Sequence, residues 1–70
     1  MGWPRLDKKV IGSRLKELRG NIPRVEVAKA CNISVSTLQN YEDGFRIPKD
    51  DIKILLAAYY KVGVGDLFFR

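Results

Sequence analysis

The chain has 70 residues, of which 46% are apolar, and this predicts one small globular domain over residues 1–70 and excludes a disordered chain. Its 13 Lys or Arg and 8 Asp or Glu give a net charge of +5, and a basic surface favours nucleic acid or an anionic membrane as partner. One cysteine and no histidine exclude an intramolecular disulfide and a structural zinc site and leave no usual general base, so we expect no metal, no cofactor and no enzyme.

No segment shows sustained two-residue alternation, so the chain is predicted to be all-α. The spacing of apolar residues and the capping residues predict five helices, over about residues 8–19, 24–31, 35–42, 51–60 and 64–69. In the first helix Asp7 is a suitable N-cap, and Ile11, Leu15 and Leu18 form one apolar stripe.

The second and third predicted helices are short, and a tight turn separates them. Cys31 is expected to fill a small core site, and Asn32 suits the left-handed backbone conformation that the turn needs. Ser34 is a favourable N-cap for the third helix, in which Leu38 and Tyr41 face inward while polar residues face outward. This arrangement is typical of a helix-turn-helix, which usually puts its second helix into a DNA groove.

The fourth predicted helix takes Asp50 or Asp51 as its N-cap. Its core face is formed by apolar residues at helical spacing, namely Ile52, Leu55, Leu56 and Tyr59. The fifth helix is short and contains Gly65, so it is expected to be mobile or to depend on a partner.

A longer set of residues then follows a known order and spacing: 15–19, 26–28, 33–34, 36–38, 40–42, Gly44, Arg46, Pro48, 55–60, Val62, Val64 and Leu67. In these residues the chain resembles the Cro/C1-type helix-turn-helix family, also called the XRE family, of phage repressors and bacterial regulators. The resemblance covers about residues 9–68. It implies a compact five-helix, lambda-repressor-like DNA-binding domain with a central helix-turn-helix.

The resemblance also implies the residues that contact DNA, because in this family the start of the third helix enters the major groove. The residues expected to contact bases are Val35, Ser36, Gln39 and Asn40. The residues expected to contact backbone phosphates are Arg24, Thr37, Arg46 and Lys49. The amide of Gln39 can pair bidentately with adenine. The alternative interpretation of this surface is an ordinary solvated helix face.

The chain departs from the family pattern before its second helix. Pro23 and Arg24 stand where the family usually has a polar cap and a glutamine that contacts a phosphate. We expect the guanidinium of Arg24 to make that phosphate contact instead.

The resemblance further implies one structural pair. Arg19 at the end of the first helix is expected to bridge to Glu42 at the end of the third. An apolar C-terminal patch is expected to form a homodimer interface, with Tyr60, Val64, Phe68 and Phe69 as its residues.

The sequence therefore predicts sequence-specific binding of double-stranded DNA by a transcriptional repressor or regulator, which acts as a dimer on a pseudo-palindromic operator. The alternative is an antitoxin or antirepressor module whose main partner is another protein, docked on the C-terminal aromatic patch. A minimal nuclease is disfavoured, because histidine and clustered carboxylates are absent. No apolar run approaches the roughly 20 residues of a membrane span and no signal peptide opens the chain, so no membrane partner and a cytoplasmic location are expected.

Overall fold

The computed structural model describes residues 7–69. Over this range it contains five helices and no strand: α1 Lys8–Arg19, α2 Arg24–Ala30, α3 Val35–Glu42, α4 Asp50–Tyr60 and α5 Val64–Phe68. The predicted all-α class with five helices is therefore confirmed. None of the helices in this part of the chain is long and apolar enough to span a membrane.

Local signals account for most helix ends. The Asp7 side chain accepts a hydrogen bond from the Lys9 amide at 2.9 Å, and so caps α1 as predicted. The predicted cap of α4 is wrong, because Lys49 is the N-cap and makes no side-chain capping bond. Asp50 and Asp51 lie in the first turn of α4 instead, where their negative charge is favourable beside the positive end of the helix dipole.

The core lies where all five helices meet. Helix α1 packs against α3 and α5, α2 packs against α3 and α4, and α4 packs against α5. The buried apolar side chains of the core come from every helix and from the turn after α2: Ile11, Leu15, Val27, Ala28, Cys31, Leu38, Tyr41, Leu56, Ala57, Leu67 and Phe68. Burial raises the pKa of the Cys31 thiol, which keeps it neutral as a core residue.

Two predicted core residues are exposed. Leu18 lies at the edge of the apolar stripe of α1, and Leu55 is 41% exposed on α4. Helix α4 is rotated relative to the prediction, because Lys53, Leu56 and Ala57 face inward at i, i+3 and i+4. The Lys53 ammonium is accommodated by Asp50, whose Oδ1 is 3.4 Å from Nζ, and by the Phe68 and Phe69 rings.

Candidate nucleic-acid interface

The turn between α2 and α3 is tight and is closed by backbone hydrogen bonds. The Cys31 amide donates to the Val27 carbonyl at 3.0 Å, and the Ile33 amide donates to the Ala28 carbonyl at 2.9 Å. Asn32 has φ 59°, the left-handed conformation predicted for this position. These bonds fix the direction in which α3 leaves the turn.

Ser34 anchors the first turn of α3. Its Oγ accepts a hydrogen bond from the Thr37 amide at 3.1 Å and donates to Thr37 Oγ1 at 2.8 Å, so the predicted N-cap is confirmed. The Ser36 hydroxyl lies 3.2 Å from the Ser34 hydroxyl. Two residues expected to contact DNA, Ser36 and Thr37, therefore also belong to the cap of α3.

The four residues expected to contact bases occupy one side of α3. Val35, Ser36 and Gln39 are exposed, and Asn40 is half-buried. Val35 is 40% exposed although it is β-branched and apolar, and no packing role explains it. Positions 35, 36, 39 and 40 are neighbours on a helix surface, so the structure brings these side chains together.

The inner side of α3 is fixed by a buried charge cluster. The Glu42 side chain is fully buried, and its two oxygens accept hydrogen bonds from Arg19 Nε at 2.7 Å and Nη2 at 3.1 Å. Arg19 also donates to the Ile22 carbonyl at 3.0 Å. The hydrogen bond to Glu42 raises the pKa of Arg19 above its ordinary value, against the effect of burial. The pair predicted between α1 and α3 is thus present as a bidentate bridge.

Arg24 belongs to the same cluster. Its Nε donates to Glu42 Oε1 at 2.9 Å, while its side chain remains 33% exposed. From the sequence, Arg24 is expected to contact phosphate alone, and the structure adds a contact with Glu42 that the family pattern did not indicate. Arg24 and Glu42 are 18 residues apart along the chain, so the sequence carried no local signal of this contact.

A basic loop follows α3. Arg46 and Lys49 are exposed, and the buried Pro48 and half-buried Ile47 hold the loop against the domain. The Phe45 amide donates to the Asn40 carbonyl at 2.9 Å, and its ring is largely exposed beside Arg46. The sequence pattern indicated no functional role for Phe45. Two of the expected phosphate contacts therefore lie on a loop that is bonded to α3.

The four residues expected at a dimer interface differ in how deeply they are buried. Phe68 is 1% exposed and lies in the core, so its assignment to an interface is wrong; α5 turns this ring inward against α4. Phe69 is 52% exposed, and Tyr60 and Val64 are half-buried. The Tyr60 hydroxyl is buried and has no hydrogen-bond partner among residues 7–69.

Among residues 7–69 no group of three or more Cys, Asp or Glu side chains is placed to hold a metal ion.

The pattern of the HTH_3 helix-turn-helix family matches residues 15–67, which is more than half of the chain. The chain belongs to the XRE-type helix-turn-helix family. It is therefore a DNA-binding transcription regulator and not an enzyme. Among curated protein sequences, none matches this helix-turn-helix chain.

Solved structures with the same fold include several regulators. The clp gene regulator ClgR from Corynebacterium glutamicum superposes with a TM-score of 0.80 at 20% identity, over 94% of this chain and 71% of that one. The restriction-modification controller protein C.AhdI from Aeromonas hydrophila gives 0.80 at 24% identity, over 91% of this chain and 100% of that one. The SOS-response transcriptional repressor LexA from Eubacterium rectale gives 0.82 at 23% identity, over 89% and 68%. At these identities the likeness establishes the helix-turn-helix fold alone.

Proposed function

We propose that this chain is a transcriptional repressor that binds a specific, pseudo-palindromic double-stranded DNA operator as a homodimer. The start of α3 enters the major groove, and Val35, Ser36, Gln39 and Asn40 contact base edges there. Repression follows from occupancy, because a protein held on the operator limits access to the promoter. We also propose that the protein lies in the cytoplasm, together with the DNA that it binds.

The observation that carries this proposal is the exposed side of α3 on a rigidly held helix. Ser34 caps its first turn, and the buried Glu42 ties its last turn to Arg19 of α1. A protein that reads base edges gains specificity when its reading side chains are held in register, since contacts displaced by about 1 Å lose their hydrogen-bond geometry. The polar and apolar groups on this side match the donors, acceptors and thymine methyl groups of the major groove.

Phosphate contacts complete the proposed interface. Thr37 lies in the first turn of α3, and Arg46 and Lys49 lie on the loop after it. Thr37 lies among the residues expected to contact bases, and Arg46 and Lys49 follow them, which suits phosphate contacts at the edge of the groove that α3 enters. The net charge of +5 supports the same partner, because it attracts DNA at any sequence and releases condensed counterions on binding.

The homodimer is proposed on the exposed apolar residues of α4 and of the C-terminus. Ile54, Leu55 and Phe69 are all exposed, and Tyr60 and Val64 are half-buried. Exposed apolar side chains on so small a domain favour an interface, and two-fold symmetry would match a pseudo-palindromic operator. The neighbours described as a restriction-modification controller and as an SOS-response repressor are regulators, which supports the same role.

The decisive experiment is selection of binding sites from a random duplex library at a defined salt concentration, with the oligomeric state measured by sedimentation. We expect an enriched motif made of two inverted half-sites about one helical turn apart, bound by two chains. Enrichment of no motif would contradict the proposal. Co-purification of a second small protein that blocks DNA binding would favour the antitoxin or antirepressor alternative.

A further inference from the structure

The Arg24 side chain is partly buried against a carboxylate and partly open to solvent. Its Nε donates to Glu42 Oε1 at 2.9 Å, and the carboxylate of Glu42 is fully buried. The two Nη groups of Arg24 donate to no atom of residues 7–69, and the side chain is 33% exposed. The guanidinium is thus held at one edge and available at the other.

The cluster contains two positive charges, on Arg19 and Arg24, and one negative charge, on Glu42. Arg19 already satisfies Glu42 with two hydrogen bonds, at 2.7 and 3.1 Å. Arg24 brings a second cation to a single carboxylate, so the cluster carries a net positive charge whose exposed part is Arg24. Such an excess stabilises the fold less than a neutral pair would, and it suits an anionic partner brought from outside.

We infer that Arg24 bridges Glu42 and a DNA phosphate at the same time, with Nε on the carboxylate and the Nη groups on the phosphate. The inference rests on the proposed DNA-binding function and adds a role for Glu42. In this arrangement Glu42 is a positioning residue for DNA contact, because its carboxylate fixes the plane of the Arg24 guanidinium before DNA binds.

The chemistry of arginine makes this double contact feasible. The guanidinium is planar and presents its five N–H donors in a rigid fork, so one edge can remain on a carboxylate while another meets two phosphate oxygens. An arginine without an internal partner must lose its rotamer freedom on binding, whereas Arg24 has already lost much of it in the free protein. A lysine offers one ammonium point charge and cannot span both acceptors in this geometry.

The test uses the full chain and a duplex of random sequence, which carries phosphates but no operator. In nitrogen-15 NMR of the arginine side chains, we expect the Arg24 Nε–H signal to exchange slowly with water in the free protein and to persist when DNA is added. The Nη signals of Arg24 should shift and sharpen on DNA. Loss of the protected Nε–H signal on DNA would mean that Arg24 leaves Glu42, and this result would overturn the inference.

Three variants give the matching binding data, and each is first checked for folding by circular dichroism. Arg24→Ala should weaken binding to the random duplex roughly tenfold and lower the slope of log affinity against log salt by about one unit. Lys29→Ala is the charge-matched control on the same helix and should have much less effect. Arg24→Lys keeps the charge and should still lose most of the affinity that Arg24→Ala loses; wild-type affinity in Arg24→Lys would overturn the inference.

The outcomes separate this inference from the proposed function. If the chain selects no operator but the Arg24 variants behave as expected on random duplex, the operator proposal fails and the double contact stands. If an operator is selected and Arg24→Ala weakens binding no more than Lys29→Ala, the operator proposal stands and the double contact fails.

Discussion

Gly12 of α1 lies directly against the backbone carbonyl of Glu42 at the end of α3. A Cβ placed on Gly12 would overlap that oxygen and would lie 2.7 Å from the Tyr41 carbonyl oxygen, closer than real Cβ atoms come. The two helices therefore approach at a point where only glycine fits. Because Arg19 and Glu42 bridge the same two helices, the position of α3 is set by a close backbone contact together with an ion pair.

We expect Gly12→Ala to lower the free energy of unfolding by about 1–3 kcal/mol, because the added methyl group must push α1 away from α3. This loss should outweigh the better helix propensity of alanine. Urea denaturation measures it. The control is Gly65→Ala in α5, where a Cβ meets nothing within 4 Å; it should raise the free energy of unfolding by about 0.5–1 kcal/mol. Equal stability of the two variants would contradict the proposed role of Gly12.

The contrast between these glycines indicates what the sequence can predict. The helix starts at Asp7 and Ser34 and the left-handed turn at Asn32 follow from local hydrogen bonding and backbone preference, and all three were predicted correctly. Gly12 lies inside a helical pattern and has no local signal. Its role depends on a helix that is distant along the chain, so only the packed structure reveals it.

The same distinction applies to the candidate site. The exposed side of α3 follows from helical periodicity, and the Arg19–Glu42 pair follows from the family resemblance. The shared hydrogen bond of Arg24 and the inward position of Lys53 depend on tertiary packing, because a cation is accepted inside only where a carboxylate or aromatic rings surround it. Periodicity alone put Leu55 in the core and missed Lys53, since apolar and amphipathic side chains compete for the same face of α4.

Tyr60 provides a prediction about alkaline stability. Burial raises the pKa of Tyr60 from its ordinary value of 10.0 to about 12, with a smaller contribution from the charge of Glu42. The folded state favours the neutral phenol, so this contribution to stability is fully present below pH 10 and is lost as the pH rises through about 12. Tyr60→Phe should make stability less dependent on pH over this range, as measured by urea denaturation at a series of pH values.

At neutral pH the same variant should be more stable. The Tyr60 hydroxyl is buried without a hydrogen-bond partner among residues 7–69, and its removal should raise the free energy of unfolding by about 1 kcal/mol. Tyr59→Phe is the matched control, because the two rings pack edge-on with centroids 5.2 Å apart. A destabilised Tyr60→Phe protein would mean that the hydroxyl has a partner, such as an ordered water.

We expect Lys49 to lower the stability of the fold and to contribute to DNA binding. It occupies the N-cap of α4 without a capping hydrogen bond, a position at which serine is strongly preferred. Lys49→Ser should raise the free energy of unfolding by about 1 kcal/mol and, if Lys49 contacts a phosphate, lower the salt slope of DNA binding by about one unit. Thermal melting and salt titration measure the two effects. If the variant gains stability and keeps the full salt slope, Lys49 does not contact DNA.

Phe68 and Phe69 are adjacent in sequence and should respond oppositely to truncation. Phe68→Ala removes a fully buried ring and should lower the free energy of unfolding by about 3–5 kcal/mol. Phe69→Ala loses only an exposed ring that lies 5.0 Å from the Lys53 ammonium, and should cost about 1 kcal/mol or less. Sedimentation equilibrium should then show a weakened dimer for Phe69→Ala. An unchanged dimer would mean that the interface lies on another surface.

Gln39 and Arg46 test the division between base contacts and phosphate contacts. Gln39→Ala should lose about 1–3 kcal/mol of discrimination at one base pair and leave binding to random DNA nearly unchanged, because only its amide reads the base edge. Arg46→Ala should weaken binding to every sequence and lower the salt slope by about one unit, because it removes one phosphate contact. Binding is measured on the selected operator and on random duplex across a salt series. Equal losses on both duplexes for both variants would mean that the exposed side of α3 does not read sequence.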